Sequence, residues 1–146
     1  MKDFHISDLL TLTTGRLVGS RHMRGVYEIL NFMTGDSLFT HQLPRAMEEC
    51  EPWLRQQFPR LFPEDAMMAE MLKLLEGQLE AAASDADLAP LVAAWVESVR
   101  VAWGLPERVP VYELPPEFHT HIDPIEEARA MMGDDRVIVI SAEDDA

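Results

Sequence analysis

The sequence predicts a mainly α-helical α+β fold, in which a helical domain with an antiparallel α-hairpin core precedes a small C-terminal strand-helix-strand unit. Apolar residues recur at helical spacing through most of residues 1–105. Two of these segments are joined by only three or four residues, which makes them antiparallel neighbours. After residue 107 the spacing changes to the alternation that is typical of strands. With 146 residues, 47% of them apolar, the chain is long enough for one domain with its own core.

The first part of the chain predicts a short helical turn and then an amphipathic helix. Ser7 is a good N-cap for the turn, which ends at Gly15. The helix that follows ends at Gly35 in a left-handed cap. Its apolar stripe consists of Met23, Val26, Tyr27, Leu30 and Met33.

The segment LFTHQLPRAMEEC, residues 38–50, brings His41, Arg45, two glutamates and the only cysteine close together in the chain. Its apolar spacing predicts a turn followed by an amphipathic helix, with the thiol of Cys50 facing inward. Pro52 lies within the pattern and should kink the helix or start a second one, because proline has no N–H donor. The sequence assigns no role to His41 or Arg45. The stripe itself consists of Leu43, Ala46, Met47, Cys50 and Leu54.

The two clearest helices form the predicted hairpin, which we expect to supply the bulk of the core. The first covers residues 63–83, and the second is capped by Asp87, carries Pro90 in its first turn and ends at Gly104. The first apolar face consists of Met68, Met71, Leu72, Leu75, Leu79 and Ala82. The second consists of Leu88, Leu91, Val92, Trp95, Val99, Ala102 and Trp103.

Residues 106–141 predict a strand, a helix and a second strand. The stretch "VPVYEL" contains Pro110, which is typical of an edge strand, and "VIVI" at 137–140 predicts a short buried strand. Between them Asp123, Pro124 and Glu126 predict a capping box that begins a helix ending at Gly133. Two strands alone are marginal in water, so the unit must dock on the helices, recruit a strand such as residues 38–41, or pair with another chain. Residues 142–146 form an acidic tail of this single domain.

The charge of the chain limits the kinds of partner that it can bind. The net charge is −14, and because residues 1–47 hold five bases and four acids, the remainder carries −15. A field of this sign attracts basic partners and repels nucleic acids and membrane surfaces. No apolar stretch approaches the roughly 20 residues that span a bilayer, and the first residues lack the pattern of a signal peptide. We therefore expect a cytoplasmic protein, and a single cysteine fits a reducing compartment.

Two groups of residues could carry chemistry. His119, His121 and Asp123 could bring two imidazoles and a carboxylate to one ion, because alternate residues of an extended stretch face the same side. A metal-dependent enzyme or metal-binding protein that uses them, with or without His41, is the alternative function. Cys50 and His41 suggest a nucleophile and its base, but the surrounding glutamates disfavour a thiolate. We assign no catalytic residue, metal or cofactor.

A basic patch at Arg16, Arg21 and Arg24 allows a further alternative, a small nucleic-acid-binding regulator. The same arginines could instead compensate the end of the first helix and pair with the acids of this chain. No phosphate-binding glycine pattern accompanies them.

The leading hypothesis is a non-enzymatic protein whose acidic residues engage a basic surface. Glu76 and Glu80 lie four residues apart on a helix and rise about 6 Å along its axis, near the separation of neighbouring phosphates on one DNA strand. Such a surface could imitate DNA in a nucleic-acid channel. The predicted partner-binding residues lie on the hairpin and its loop: Glu70, Glu76, Glu80, Asp85 and Asp87.

Four blocks of the sequence resemble a family of small, mostly uncharacterised proteins encoded by bacteriophages and prophages. They are "ISDLLTLTTGRLVG", "MRGVYEILNFMTGDSLFTHQLPRA", "CEPWLRQQFPRL" and "DPIEEARAMMG". The resemblance implies a phage protein acting in the bacterial cytoplasm. In size and charge the chain is similar to inhibitors of host defences, including anti-CRISPR proteins, which implies a host protein or nucleoprotein complex as its partner. No catalytic residue is carried over.

Overall fold

The computed structural model describes residues 1–82 and 88–132, and its architecture is mainly helical. Within these ranges six α-helices accompany a two-stranded antiparallel sheet, so the predicted α+β class is confirmed. Asp85, Asp87, the strand predicted at 137–140 and the acidic tail at 142–146 lie outside the described residues. The helices are α1 Ile6–Thr14, α2 Met23–Thr34, α3 Leu43–Gln57, α4 Ala66–Ala81, α5 Ala89–Trp103 and α6 Pro124–Met132. The strands are β1 Lys2–His5 and β2 Arg108–Val111.

The helix ends follow local chemistry. α1 and α2 end at Gly15 and Gly35, whose φ angles of 72° and 70° place them in the left-handed region, as predicted. The predicted N-cap of α1 is wrong: Ser7 lies inside the helix, and Nδ1 of His5 accepts the hydrogen bond of the Ser7 amide at 3.1 Å. An imidazole nitrogen can replace a hydroxyl in this role, which makes the capping residue hard to identify from its type.

The segment at residues 38–50 forms a short 3₁₀ helix, Thr40–Gln42, and then enters α3. The alternative of a third strand at residues 38–41 is therefore wrong. α3 continues through Pro52 to Gln57, so no second helix begins at the proline. The side chain of Cys50 is fully buried, which confirms that it faces inward.

The predicted hairpin forms from α4 and α5. α4 begins at Ala66 rather than at residue 63, because Asp65 caps it by accepting the amide of Met68 at 2.9 Å. The indole of Trp95 donates to the carbonyl of Met71 at 2.6 Å. Arg60, which precedes α4, lies over the ring of Trp103 at the end of α5, so the two helices run antiparallel.

Most of the buried hydrophobic residues in the described part lie within residues 1–62. α1 is buried along its whole length, and α2 and α3 pack against each other. The hairpin contributes a smaller share, so the prediction that it supplies the bulk of the core is wrong. Its buried residues are Met68, Leu72, Leu75, Trp95, Val96 and Val99.

The sheet joins residues 2–5 to the segment that follows α5. β2 is the strand that "VPVYEL" predicts, and β1 pairs with it in the register Phe4↔Val109 and Asp3↔Pro110. Phe4 and Val109 are buried between the sheet and the helices. None of the helices in the described part is long and apolar enough to span a membrane.

Candidate functional site

The segment at residues 38–50 is the place where the C-terminal part of the chain docks. The guanidinium of Arg45 binds both carboxylate oxygens of Glu127, with Nε to Oε2 at 2.8 Å and Nη2 to Oε1 at 2.9 Å. Gln42 Nε2 donates to Oε1 of Glu127 at 2.9 Å. Such bidentate pairs are among the strongest polar contacts in proteins. Arg45, to which the sequence assigned no role, therefore fixes α6 against α3.

His119 lies between two carboxylates on the same docking surface. Its Nδ1 is 2.7 Å from Oε1 of Glu49, and its Nε2 is 3.1 Å from Oδ2 of Asp36. The imidazole is 9% exposed and each carboxylate is 15% exposed. Because an ionised carboxylate only accepts hydrogen bonds, the imidazole is the donor in its bonds to these carboxylates. Nδ1 of His121, a largely exposed residue, is 2.7 Å from the same Asp36 oxygen.

Side chains of the 3₁₀ helix and α3 also bind the main chain of residues 120–124. Arg45 Nη1 donates to the Thr120 carbonyl at 2.6 Å, and the Thr120 amide donates to Glu49 Oε2 at 2.9 Å. Gln42 Nε2 donates to the carbonyl of residue 122 at 3.0 Å. Nε2 of His41 donates to the carbonyl of residue 124 at 2.7 Å. We call residues 119–127 the docked segment, and we call its receiving surface, formed by Asp36, His41, Gln42, Arg45 and Glu49, the segment-binding face.

The pKa values follow from these contacts. The hydrogen bond from Arg45 lowers the pKa of Glu127, although burial partly opposes it. Burial acts to raise the pKa of Asp36, but hydrogen bonds from His121 and His119 outweigh it and hold this pKa below its ordinary value. The hydrogen bond to Glu127 likewise raises the pKa of Arg45. These contacts therefore favour the ionised forms of Asp36 and Glu127.

The three residues of the alternative metal site serve other partners. His119 and His121 contact Asp36, whereas Oδ1 of Asp123 accepts the amides of Ile125 and Glu126 at 2.9 and 3.2 Å. Asp123 is therefore the predicted N-cap of α6. Among the described residues, no group of three or more His, Cys, Asp and Glu side chains is arranged to hold a metal ion.

Cys50 lies in the hydrophobic core. Burial, with a smaller contribution from the charge of Glu49, raises the pKa of its thiol to about 12. A nucleophilic cysteine needs a stabilised thiolate, and this environment disfavours the thiolate. His41 makes its hydrogen bond with the main chain of the docked segment.

The arginines of the predicted basic patch are partly neutralised by acids of this chain. Arg21 Nη2 lies 3.0 Å from Asp8 Oδ2 and 2.8 Å from Glu28 Oε2. Arg16 forms an ion pair with Glu76 on α4. Within the described part, the side chain of Arg24 has no ion pair. The hydrogen bond to Glu28 raises the pKa of Arg21, and the hydrogen bond to Asp8 adds to this shift.

The predicted partner-binding acids Glu70, Glu76 and Glu80 are exposed on α4. Glu70 lies 3.3 Å from Lys73, and Glu76 pairs with Arg16. Among the residues the structure describes, the carboxylate of Glu80 has no hydrogen-bond or ion-pair partner.

The sequence did not identify Asp36, Glu49 and Glu127 as parts of one cluster. Asp36 lies in the loop after α2 and Glu49 on α3, whereas Glu127 is on α6, more than seventy positions further along the chain. One signal was present: the polar residues Gln42 and Arg45 lie beside an apolar stripe.

The comparisons with known proteins concern the N-terminal part of the chain. Residues 4–64 match the sequence model of a family described as a domain of unknown function, DUF7736. The match covers less than half of the chain and ends just before α4. It includes the whole segment-binding face but not the docked segment. No curated protein and no solved structure matches the chain.

Proposed function

We propose that this protein is a non-enzymatic, phage-type binding protein that engages a basic surface of a host protein or nucleoprotein complex. A defence system such as CRISPR-Cas, whose nucleic-acid channel the protein would block, is one partner of this kind. The observation that carries the proposal is the net charge of −15 after residue 47. An acidic surface of this size accelerates association with basic partners and weakens binding to nucleic acids.

The arrangement of the cations supports the same proposal. Most bases after residue 47 in the described part pair with acids of this chain, as in Arg55 with Glu51 and Glu64, and Arg100 with Glu97. These pairs leave acids in excess on the exposed surface. Glu70, Glu76 and Glu80 are exposed on α4, and within the described residues Glu80 has no ion-pair partner.

The test is capture of partners from a bacterial lysate, with bound proteins and nucleic acids identified. A chain with Glu70→Lys, Glu76→Lys and Glu80→Lys should lose most of the basic partners that the unaltered chain captures. The control carries Glu107→Lys, Glu113→Lys and Glu117→Lys, which change the net charge equally at exposed sites outside α4. Equal capture by the α4 variant, with the fold intact by circular dichroism, would remove α4 as the binding face.

Salt dependence provides a second measurement. For a partner recovered by the unaltered chain, the association rate should fall steeply as ionic strength rises, because screening shortens the reach of the acidic field. An association rate that does not change with salt would contradict electrostatic recruitment.

A further inference from the structure

The segment-binding face binds its occupant through both main-chain and side-chain groups. Arg45, Gln42 and His41 donate to the carbonyls of residues 120, 122 and 124, and Glu49 accepts the amide of residue 120. The carbonyls of residues 120 and 122 belong to a non-helical stretch, whereas residue 124 is the first residue of α6. Main-chain groups are the same in every sequence, so a stretch of this shape that leads into a helix can make these bonds whatever its side chains.

Side chains of the docked segment are held at two places on this face. Asp36 and Glu49 together contact the imidazole of His119, and Asp36 also contacts His121. Arg45 receives a carboxylate, which is Glu127. Lysine and arginine stay charged near neutral pH and carry several N–H donors. A lysine or arginine at the position of His119 can therefore donate to both carboxylates at once.

We propose that the segment-binding face is a recognition site for a segment of a basic partner that is extended at first and then enters a helix, and that residues 119–127 occupy it in the absence of that partner. The partner places a lysine or arginine between Asp36 and Glu49, and its main chain takes the bonds of residues 120–124. This inference rests on the proposed function, since it identifies where one basic side chain of the partner is bound. The docked segment is then an intramolecular competitor.

The competition sets how the site must be tested. A segment of the same chain competes at a high effective concentration, so the unaltered protein binds a free peptide weakly. In the full chain, His119→Ala weakens the binding of the docked segment and leaves every residue of the segment-binding face unchanged. The probes are two fluorescein-labelled peptides with the sequence of residues 116–128, one carrying His119→Arg and the other His119→Ala.

Fluorescence anisotropy should show that the arginine peptide binds this chain at least tenfold more tightly than the alanine peptide. Adding Glu49→Gln to the chain should remove most of that difference. Glu48→Gln is the matched control, because Glu48 is exposed on the neighbouring position of α3 and bears no contact to the docked segment. Equal affinities for the two peptides, or equal effects of Glu48→Gln and Glu49→Gln, would overturn the proposal.

Two further measurements keep the test decisive. If Glu49→Gln impairs folding, Asp36→Asn removes the other carboxylate and should have the same effect on peptide discrimination. In the unaltered chain, excess arginine peptide should speed hydrogen exchange of the Thr120 amide, which Glu49 accepts, and excess alanine peptide should not. Equal exchange with both peptides counts against the site.

The outcome also separates this site from the proposed function. If both peptides bind equally, and the three Glu→Lys substitutions on α4 abolish that binding, the segment-binding face is not a recognition site. The protein would then bind basic partners through its acidic surface in general. If the chain distinguishes the two peptides through Glu49, while the three substitutions on α4 leave the capture of partners unchanged, the result supports the segment-binding face. It also removes α4 from the proposed function.

Discussion

Gly25 lies so close to Asp8 that a β-carbon added to it would sit 2.2 Å from Oδ1 of that carboxylate. Asp8 is 1% exposed, and its other oxygen is held by Arg21. The carboxylate therefore cannot move away without losing its ion pair. The contact joins α1 to the start of α2, and only a glycine allows it.

Gly25→Ala should destabilise the protein by about 3 kcal/mol, because the added methyl group forces apart a packed and charged contact. Gly77→Ala is the control, since Gly77 lies in α4 with no atom within 4 Å of an added β-carbon. That substitution should stabilise the protein by up to about 1 kcal/mol. Urea unfolding measures both, and a cost below about 1 kcal/mol at Gly25 would show that α1 and α2 can separate there.

Glu127→Gln should lower the free energy of unfolding by about 2 kcal/mol, because it removes the charged partner of a mostly buried Arg45. Glu126→Gln is the matched control: it changes the same charge in the same helical turn, but its side chain is exposed. Hydrogen exchange of α6 should quicken in the first variant and stay unchanged in the second. Similar losses in both variants would point to the helix dipole instead.

The stabilisation by Glu127 and Asp36 should depend on pH in the acid range. Both pKa values are lower in the folded state, so the folded protein binds fewer protons than the unfolded chain there. Their contribution is complete above the unfolded values of about 4.3 and 3.9 and is lost as pH falls through the folded values. The difference between the unaltered chain and Glu127→Gln, measured by urea unfolding, should be constant from neutral pH to about 5 and shrink below about 4. A difference that grows on acidification would contradict this assignment.

Cys50 should react with a thiol reagent only through unfolding. A pKa of about 12 leaves the native thiol with roughly a thousandfold less thiolate than an ordinary cysteine, and the side chain is fully buried. Reaction with Ellman's reagent, followed by absorbance, should be slow in buffer and rapid in concentrated urea. Rapid labelling of the native protein would show that Cys50 can act as a nucleophile.

The sequence predicted those elements whose cause is local. Helical spacing placed α2 to α5, and glycines at 15, 35 and 104 marked three helix ends correctly. The capping residues Asp123 and Pro124 located the start of α6 because the bonds they make lie within one turn. Local rules act over a few residues, so a single sequence is enough to apply them.

The contacts that the sequence did not predict are those between distant segments. β1 contains a single buried aromatic, Phe4, and becomes a strand because β2 pairs with it. Asp8 is an acid in the most buried helix, and Arg21, thirteen positions away, compensates it. The polar cluster at Arg45 depends on a segment more than seventy positions further along. Charges along a chain do not show which pairs will meet.

The pairing of β1 with β2 has a consequence during synthesis. Val111 is added more than a hundred residues after its partner Lys2. Until then Phe4 has no strand beside it, and the main-chain groups of residues 2–5 lack their sheet partners. The sheet therefore cannot close before β2 has been made, and a chaperone or the ribosome surface has that interval in which to shield these residues.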